Sequence, residues 1–111
     1  MAADVPAVYL SFSGGLTGTL DTAAVIYGNL RAENPDGQEI LFFDTHLAST
    51  AEALFVHEAL RQWDKGLSAQ EMRDWAQQAA PYVNEIFVVD DLEALKRGGR
   101  IPSAVAALGA K

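Results

Sequence analysis

The sequence predicts an α/β chain with a three-layer αβα architecture, built on a small, mainly parallel sheet in the element order βαβααβα. Three observations carry this reading. Three continuous apolar runs of strand length recur along the chain, segments with apolar residues at helical spacing separate them, and Gly or Pro sequences close those segments. Uniformly apolar strands alternating with helices read as strands buried on both faces between helix layers, joined by right-handed crossovers. With 111 residues, 50% of them hydrophobic and 21% charged, the chain forms a single α/β domain over residues 1–111.

Each element has its own signal. Residues 7–12, Ala7-Val8-Tyr9-Leu10-Ser11-Phe12, form a β-branched and aromatic run that enters Ser13-Gly14-Gly15, a strand running into a tight turn. Over residues 19–33, Leu20, Ala23, Ala24, Tyr27 and Leu30 recur at helical spacing, and Asn34-Pro35-Asp36-Gly37 ends the helix. Residues 39–43 are the second strand. Ser49 then serves as an N-cap with Glu52 as its capping-box partner. Ala53, Leu54, Val56, His57, Leu60 and Trp63 mark the helix that Lys65-Gly66 stops. Ser68 and Glu71 repeat the capping box before Met72, Trp75, Ala76 and Ala79, and Pro81 ends this third helix. Residues 85–89 are the third buried-type strand. Asp91 caps a short helix over residues 92–97 that stops at Gly98-Gly99, and Pro102 opens a last helix over residues 102–108.

Composition narrows the function. A net charge of −7 opposes a nucleic-acid partner or an anionic membrane surface, both of which require a basic patch. The absence of cysteine excludes disulfides and thiolate metal sites. The first residues lack a basic segment followed by a long apolar one, and the apolar runs are too short for a bilayer, so no membrane insertion and a cytoplasmic location are expected.

In an open parallel sheet, ligands sit beyond the carboxyl ends of the strands. Ser13-Gly14-Gly15-Leu16-Thr17-Gly18-Thr19 occupies that position. Its glycines admit close backbone approach, its amide N–H groups and the following helix dipole favour an anion, and Ser13, Thr17 and Thr19 add hydroxyl donors. The same pattern also fits a structural turn in which Thr17 or Thr19 caps the helix. Neither the Walker pattern nor the dinucleotide fingerprint is present, which argues against nucleotides. Asp44 at the end of the second strand shapes its own turn or hydrogen-bonds neighbouring loop amides. Ser13 with His46 or His57 and Asp44 or Asp90 supplies the residue types of a hydrolytic triad but lacks a nucleophile elbow. Asp90-Asp91 reads as a helix cap before it reads as a Mg²⁺ pair, and no metal site is expected. Lys96, Arg97 and Arg100 complement a helix C-terminus or form a patch for a partner.

Two segments resemble a known family. Leu92-Glu93-Ala94-Leu95-Lys96-Arg97-Gly98-Gly99-Arg100-Ile101-Pro102-Ser103 resembles the signature segment of the DegV family of bacterial fatty-acid-binding proteins, and the resemblance continues through Gly109. Ser11-Phe12-Ser13-Gly14-Gly15-Leu16-Thr17-Gly18-Thr19 is similar to that family's Ser-Ser-Gly-Leu-Ser-Gly-Thr loop, and Asp44-Thr45-His46-Leu47-Ala48-Ser49 to its Asp-Ser-Arg/Lys-x-x-Ser segment. The resemblance spans nearly the whole chain. Family members are well over twice as long, so the chain is expected to be a central piece, a fragment of a DegV-like N-terminal domain.

The resemblance implies a lipid carrier without chemistry or cofactor of its own. A long-chain fatty acid is the ligand. Its carboxylate lies at Ser13, Gly14, Gly15, Thr17 and Thr19, with Asp44, Thr45 and Ser49 shaping the site, and its acyl chain enters a channel shared with a second domain. Gly14 replaces the family's second serine, Thr17 its later one, and His46 its basic residue. An upstream threonine and the enclosing domain lie outside this sequence, from which weak or absent lipid affinity would follow. A fatty-acid kinase or acyl-transfer protein is the implied partner for the Lys96, Arg97 and Arg100 patch. Two other readings compete, a small hydrolase using Ser13 and a piece that only self-assembles. Unpaired sheet edges predict a homodimer.

Overall fold

The computed structural model describes residues 5–109. Two strands, β1 (Ala7–Ser11) and β2 (Ile40–Asp44), pair in parallel with Ala7 opposite Ile40 and Ser11 opposite Asp44. Parallel pairing needs a crossover, and α1 (Thr19–Glu33) supplies it. The turn after α1 is closed by Gly37 N–H to the Asn34 carbonyl at 3.1 Å. The Tyr27 hydroxyl accepts from Ile40 N–H at 3.0 Å and donates to the Gln38 carbonyl at 3.3 Å, tying α1 to the start of β2. Then follow α2 (Ser49–Asp64), α3 (Ala69–Ala79), a 3₁₀ turn (Ala80–Tyr82), α4 (Leu92–Arg97) and α5 (Ser103–Gly109).

The period-two alternation of the strands divides the aromatic residues between two layers. Phe42 meets Tyr9 at 5.6 Å and Tyr27 of α1 at 5.4 Å between ring centroids. On the other face, Leu10 and Phe43 pack on the principal core of Leu47, Ala51, Phe55 and Ala76. Phe55 is 1% exposed and is stacked between Phe43 at 6.2 Å and Trp75 at 5.2 Å. Helices therefore cover both faces of the sheet, as the α/β reading requires.

Four local expectations are corrected. Residues 84–89 have no regular secondary structure and join no sheet, so the third strand is absent and the order is βαβαααα, with the 3₁₀ turn after α3. Ile86, Phe87 and Val88 are 94%, 73% and 90% exposed. Strand propensity records fitness for a pleated, half-buried surface, and this run has no neighbouring strand to provide one. Neither β1 nor β2 is wholly buried, and α1 has no fully buried residue; Ala24 and Leu30 face solvent. Strand spacing of about 4.8 Å makes a two-strand sheet narrower than a helix of about 10 Å diameter. The apolar stripe of α1 overhangs it.

The buried face of α2 is Ala51, Phe55 and Ala59, whereas Leu54, Leu60 and Trp63 of the predicted stripe are largely exposed. The small alanines let α2 approach α3 and the sheet closely, which rotates the larger residues outward. Ser49 is not the cap. Ala48 holds the N-cap position with no side-chain cap bond, and Ser49 lies inside the first turn at φ +49°. Burial of Leu47 and Ala48 starts the helix one residue earlier than the capping signal indicates.

The capping box of α3 forms as read. Glu71 N–H donates to Ser68 Oγ at 3.3 Å, and Ser68 N–H donates to Glu71 Oε2 at 2.8 Å. The α5 helix packs on α4 and buries Ala106. Because α4, α5 and residues 84–89 stand away from the main core, the radius of gyration is 17.2 Å, against about 13 Å for a closed domain of this length.

Two outcomes test this packing. Phe55→Ala is expected to lower unfolding free energy by about 3–5 kcal/mol in urea titrations followed by circular dichroism, whereas Tyr82→Ala at an exposed site changes it by less than about 0.5 kcal/mol. Hydrogen bonds from the Ser68 backbone and hydroxyl hold the Glu71 carboxyl below its ordinary pKa of 4.5. A depressed folded-state pKa stabilises above the unfolded value and loses that contribution as pH falls through the folded one. The difference in melting temperature between the wild type and Glu71→Ala is therefore expected to be full at pH 6–7 and to shrink as pH falls below 4.5.

Candidate functional site

The parallel register brings the carboxyl ends of β1 and β2 together, so the turns after them share one end of the sheet. Buried Thr45 joins them. Its hydroxyl donates to the Ser11 carbonyl at 2.7 Å and accepts from Leu47 N–H at 3.1 Å. Ser13 N–H in turn donates to the Leu47 carbonyl at 2.9 Å.

Asp44 clamps both turns. Its carboxylate accepts from Gly14 N–H at 3.1 Å and from His46 N–H at 2.9 Å, so it shapes its own turn and binds the neighbouring loop at once. A Cβ at residue 14 would overlap Asp44 Oδ2, so with a larger residue there the carboxylate could not keep this position. His46 Nδ1 lies 3.4 Å from Asp44 Oδ2, with its own side chain 78% exposed.

The loop amides are mostly engaged, which corrects the expectation that they wait for an anion. Besides Ser13 and Gly14, Gly15 N–H donates to Ser13 Oγ at 3.3 Å, and Leu16 and Thr17 N–H donate to the Ser13 carbonyl at 3.0 and 3.2 Å. Gly18 is the N-cap of α1, and Thr17 Oγ1 accepts from Thr19 N–H at 3.3 Å. The folded turn satisfies its own donors because glycine and serine let the chain curl tightly. What the loop still offers is hydroxyl protons. Ser13 Oγ acts as an acceptor for Gly15, and Thr17 and Thr19 share one bond at 2.9 Å that uses one of their two protons.

Beside the Thr17 and Thr19 hydroxyls runs an open groove of about 480 Å³, of which Ser13 is not a lining residue. Thr17, Thr19 and Arg100 give it polar atoms, and Tyr9, Phe12, Leu16 and Leu95 give it apolar walls. Arg100 thus stands at the loop, apart from the patch in which the sequence groups it. The fold alone reveals this, since α4 returns residue 100 to the end of β1. The guanidinium also donates to the Gly98 carbonyl.

The other two patch residues are paired locally, Lys96 with Glu93 at 3.1 Å and Arg97 with Asp91 at 3.3 Å. Asp91 also caps α4 through Glu93 N–H at 2.9 Å. Ser49 and His57 are exposed on α2, and among the described residues neither hydrogen-bonds to the loop. A larger groove, about 760 Å³, lies beyond β2 beside Asp44, His46 and Arg73 and contains none of the loop hydroxyls. Among the described residues no three His, Asp or Glu side chains gather as a metal site, and no helix is long and apolar enough to cross a membrane.

A family model described as uncharacterised protein, DegV family, matches residues 3–111. The chain belongs to the DegV family. It is 38% identical over 108 residues to a DegV domain-containing protein of Lactococcus lactis, covering 97% of this chain and 37% of that protein. A DegV domain-containing protein of Clostridium perfringens is 35% identical over 102 residues, 92% of this chain and 35% of the relative. A third, from Deinococcus radiodurans, is 32% identical over 100 residues, 90% of this chain and 33% of the relative. The DegV chain described here therefore spans about a third of the length of these relatives.

The clamp in this DegV chain makes a specific prediction. Gly14→Ala pushes the Asp44 carboxylate from its amide partners, a loss of about 1–3 kcal/mol in unfolding free energy. Adding Asp44→Ala removes the overlap, so the double variant is expected to be more stable than the sum of the two single losses by about 0.5–3 kcal/mol in a double-mutant cycle.

Proposed function

We propose that this DegV chain is a binding domain for a long-chain fatty acid that it carries without altering. The lipid carboxylate accepts from the free hydroxyl protons of Ser13 and the Thr17–Thr19 pair and is balanced by Arg100. Gly14 and Gly15 allow its close approach, and the acyl chain follows the apolar walls toward Leu95. Asp44 and Thr45 hold the loop in shape. The observation that carries this reading is the groove itself, where hydroxyl donors and one guanidinium meet an apolar trough at the end of a parallel sheet. Membership in a family whose sequence pattern resembles fatty-acid carriers supports the same ligand.

Carriage rather than hydrolysis is favoured by the surroundings of Ser13. Its Oγ accepts from Gly15 N–H, and among the described residues no imidazole is hydrogen-bonded to it as a general base. A cytoplasmic fatty-acid kinase or acyl-transfer protein is the receiver this role calls for, and half-buried Lys96 and exposed Arg97, on the helix whose Leu95 lines the groove, are the cations that it would meet.

Native mass spectrometry of freshly purified protein is expected to show a retained C14–C18 fatty acid, and calorimetric titration with palmitate to give a measurable affinity. Ser13→Ala removes a hydrogen bond to a charged group, about 1.5–3 kcal/mol, or roughly ten- to a hundredfold in Kd. Equal affinity in the wild type, Ser13→Ala and Arg100→Ala, or absence of lipid binding in a full-length relative that carries the enclosing domain, overturns the assignment. Ester hydrolysis that Ser13→Ala abolishes would replace it with the hydrolase reading.

A further inference from the structure

β1 has one paired edge and one open edge. Ala7 N–H bonds to the Glu39 carbonyl, and Thr45 N–H bonds to the Ser11 carbonyl. These two end bonds turn the odd-numbered residues of β1 toward β2. In a parallel ladder the intervening residues face the other way, so the amides and carbonyls of Val8 and Leu10 point outward. Beside that edge, Val8 and Leu10 line a largely apolar groove of about 460 Å³ with Val56, Leu60 and Trp63. Leu60 and Trp63 remain 58% and 45% exposed.

The same chain carries a segment with the opposite need. Residues 84–89 have no regular secondary structure and no ladder partner, and Ile86, Phe87 and Val88 are 94%, 73% and 90% exposed. We propose that residues 85–89 of one copy add in parallel, as a third strand, to the open edge of β1 in a second copy, and that the exchange is reciprocal in a two-fold dimer.

The fit is one of length, pattern and area. The segment has the length of β1, which spans five residues. Alternation sends Ile86 and Val88 to one face and Phe87 and Val89 to the other, so one pair enters the groove under α2. Within a single copy, Val83 packs on the core beside Phe43 and Leu47, and Leu95 lines the same groove as Tyr9 and Ser11. Between these anchors the segment makes no ladder bonds to its own strands. A second copy has no such tether.

Phe87 alone can cover about 150–250 Å², and with Ile86, Val88 and the partly exposed Val89 the segment presents on the order of 500 Å² of apolar surface. A monomer rarely leaves more than a few hundred Å² contiguous. Two reciprocal strands and the surfaces beneath them hide on the order of 2,000 Å², above the roughly 1,200 Å² at the lower end of stable interfaces. Two-fold exchange also closes the assembly, leaving no free segment to recruit a further copy.

Light scattering after gel filtration at about 50 μM tests the proposal, with far-UV circular dichroism as the control for folding. The wild type is expected at twice the 11.9 kDa chain mass. The Ile86→Lys/Val88→Lys variant is expected at the single-chain mass with an unchanged spectrum, since both side chains are exposed in the isolated copy. A wild-type monomer overturns the proposal. So does a dimer that survives the two lysines, because its interface would lie elsewhere. If the lysine variant loses helical signal, a Phe87→Ser variant is measured in its place; a folded Phe87→Ser dimer as stable to dilution as the wild type also overturns it.

Discussion

The arrangement depends on one buried hydroxyl. Thr45 is 1% exposed, and its Oγ1 donates to the Ser11 carbonyl and accepts from Leu47 N–H. Leu47 completes the circuit by accepting from Ser13 N–H and by placing its side chain in the core with Phe55. Strand ends, the Ser13–Thr19 loop and the core are thereby one hydrogen-bonded unit. A short two-strand sheet is marginal alone, so this circuit and the helix layers supply what a wider sheet would otherwise provide. An isosteric apolar residue at 45 would leave the Leu47 amide without its partner while preserving shape, which separates the hydrogen bonds from the packing.

The same economy sets what the loop can hold. Phosphate sites at helix starts rely on several converging amides. Here those amides serve the turn, and Asp44 places a carboxylate against Gly14. A doubly charged phosphate would face that carboxylate with few donors to offset it. A singly charged carboxylate needs only two hydroxyls and one cation, and its apolar tail prefers walls such as Tyr9, Leu16 and Leu95. Under the proposed function, chain geometry favours a carboxylate over a phosphate, ligand classes that a glycine- and hydroxyl-rich sequence cannot separate.

Local chemistry was legible in the sequence where a residue acts on its immediate neighbours. The ends of α1, the Ser68–Glu71 box, the Asp91 cap and the left-handed Gly66 and Gly99 all follow from side-chain and backbone preferences within a few positions. The loop and its Asp44 neighbour were also legible, because a parallel sheet must bring consecutive strand ends together. Long-range partners were not. Phe55 lies between two predicted stripe positions, Leu54 and Val56, and only the approach of α3 selects it for burial. Arg100 belongs by sequence to a helix-end cluster and reaches the groove only because α4 turns back toward β1. Residues 85–89 have the composition of a strand, but composition cannot specify an edge to pair with.

That unpaired segment and the groove are coupled through α4. Only two residues separate Val89 from Leu92, so a segment that adds in parallel to a second copy carries its own α4 to the carboxyl end of that copy's β1. This is the end where the Ser13 loop lies. In the proposed dimer the partner's Leu95 and the partner's Arg100 would therefore be delivered to the groove that, in the single copy, Leu95 and Arg100 of the same chain line. Strand addition would then complete each groove with the other subunit's cation. By linkage, a carboxylate that prefers the completed groove strengthens the dimer by the same factor by which the dimer strengthens its binding.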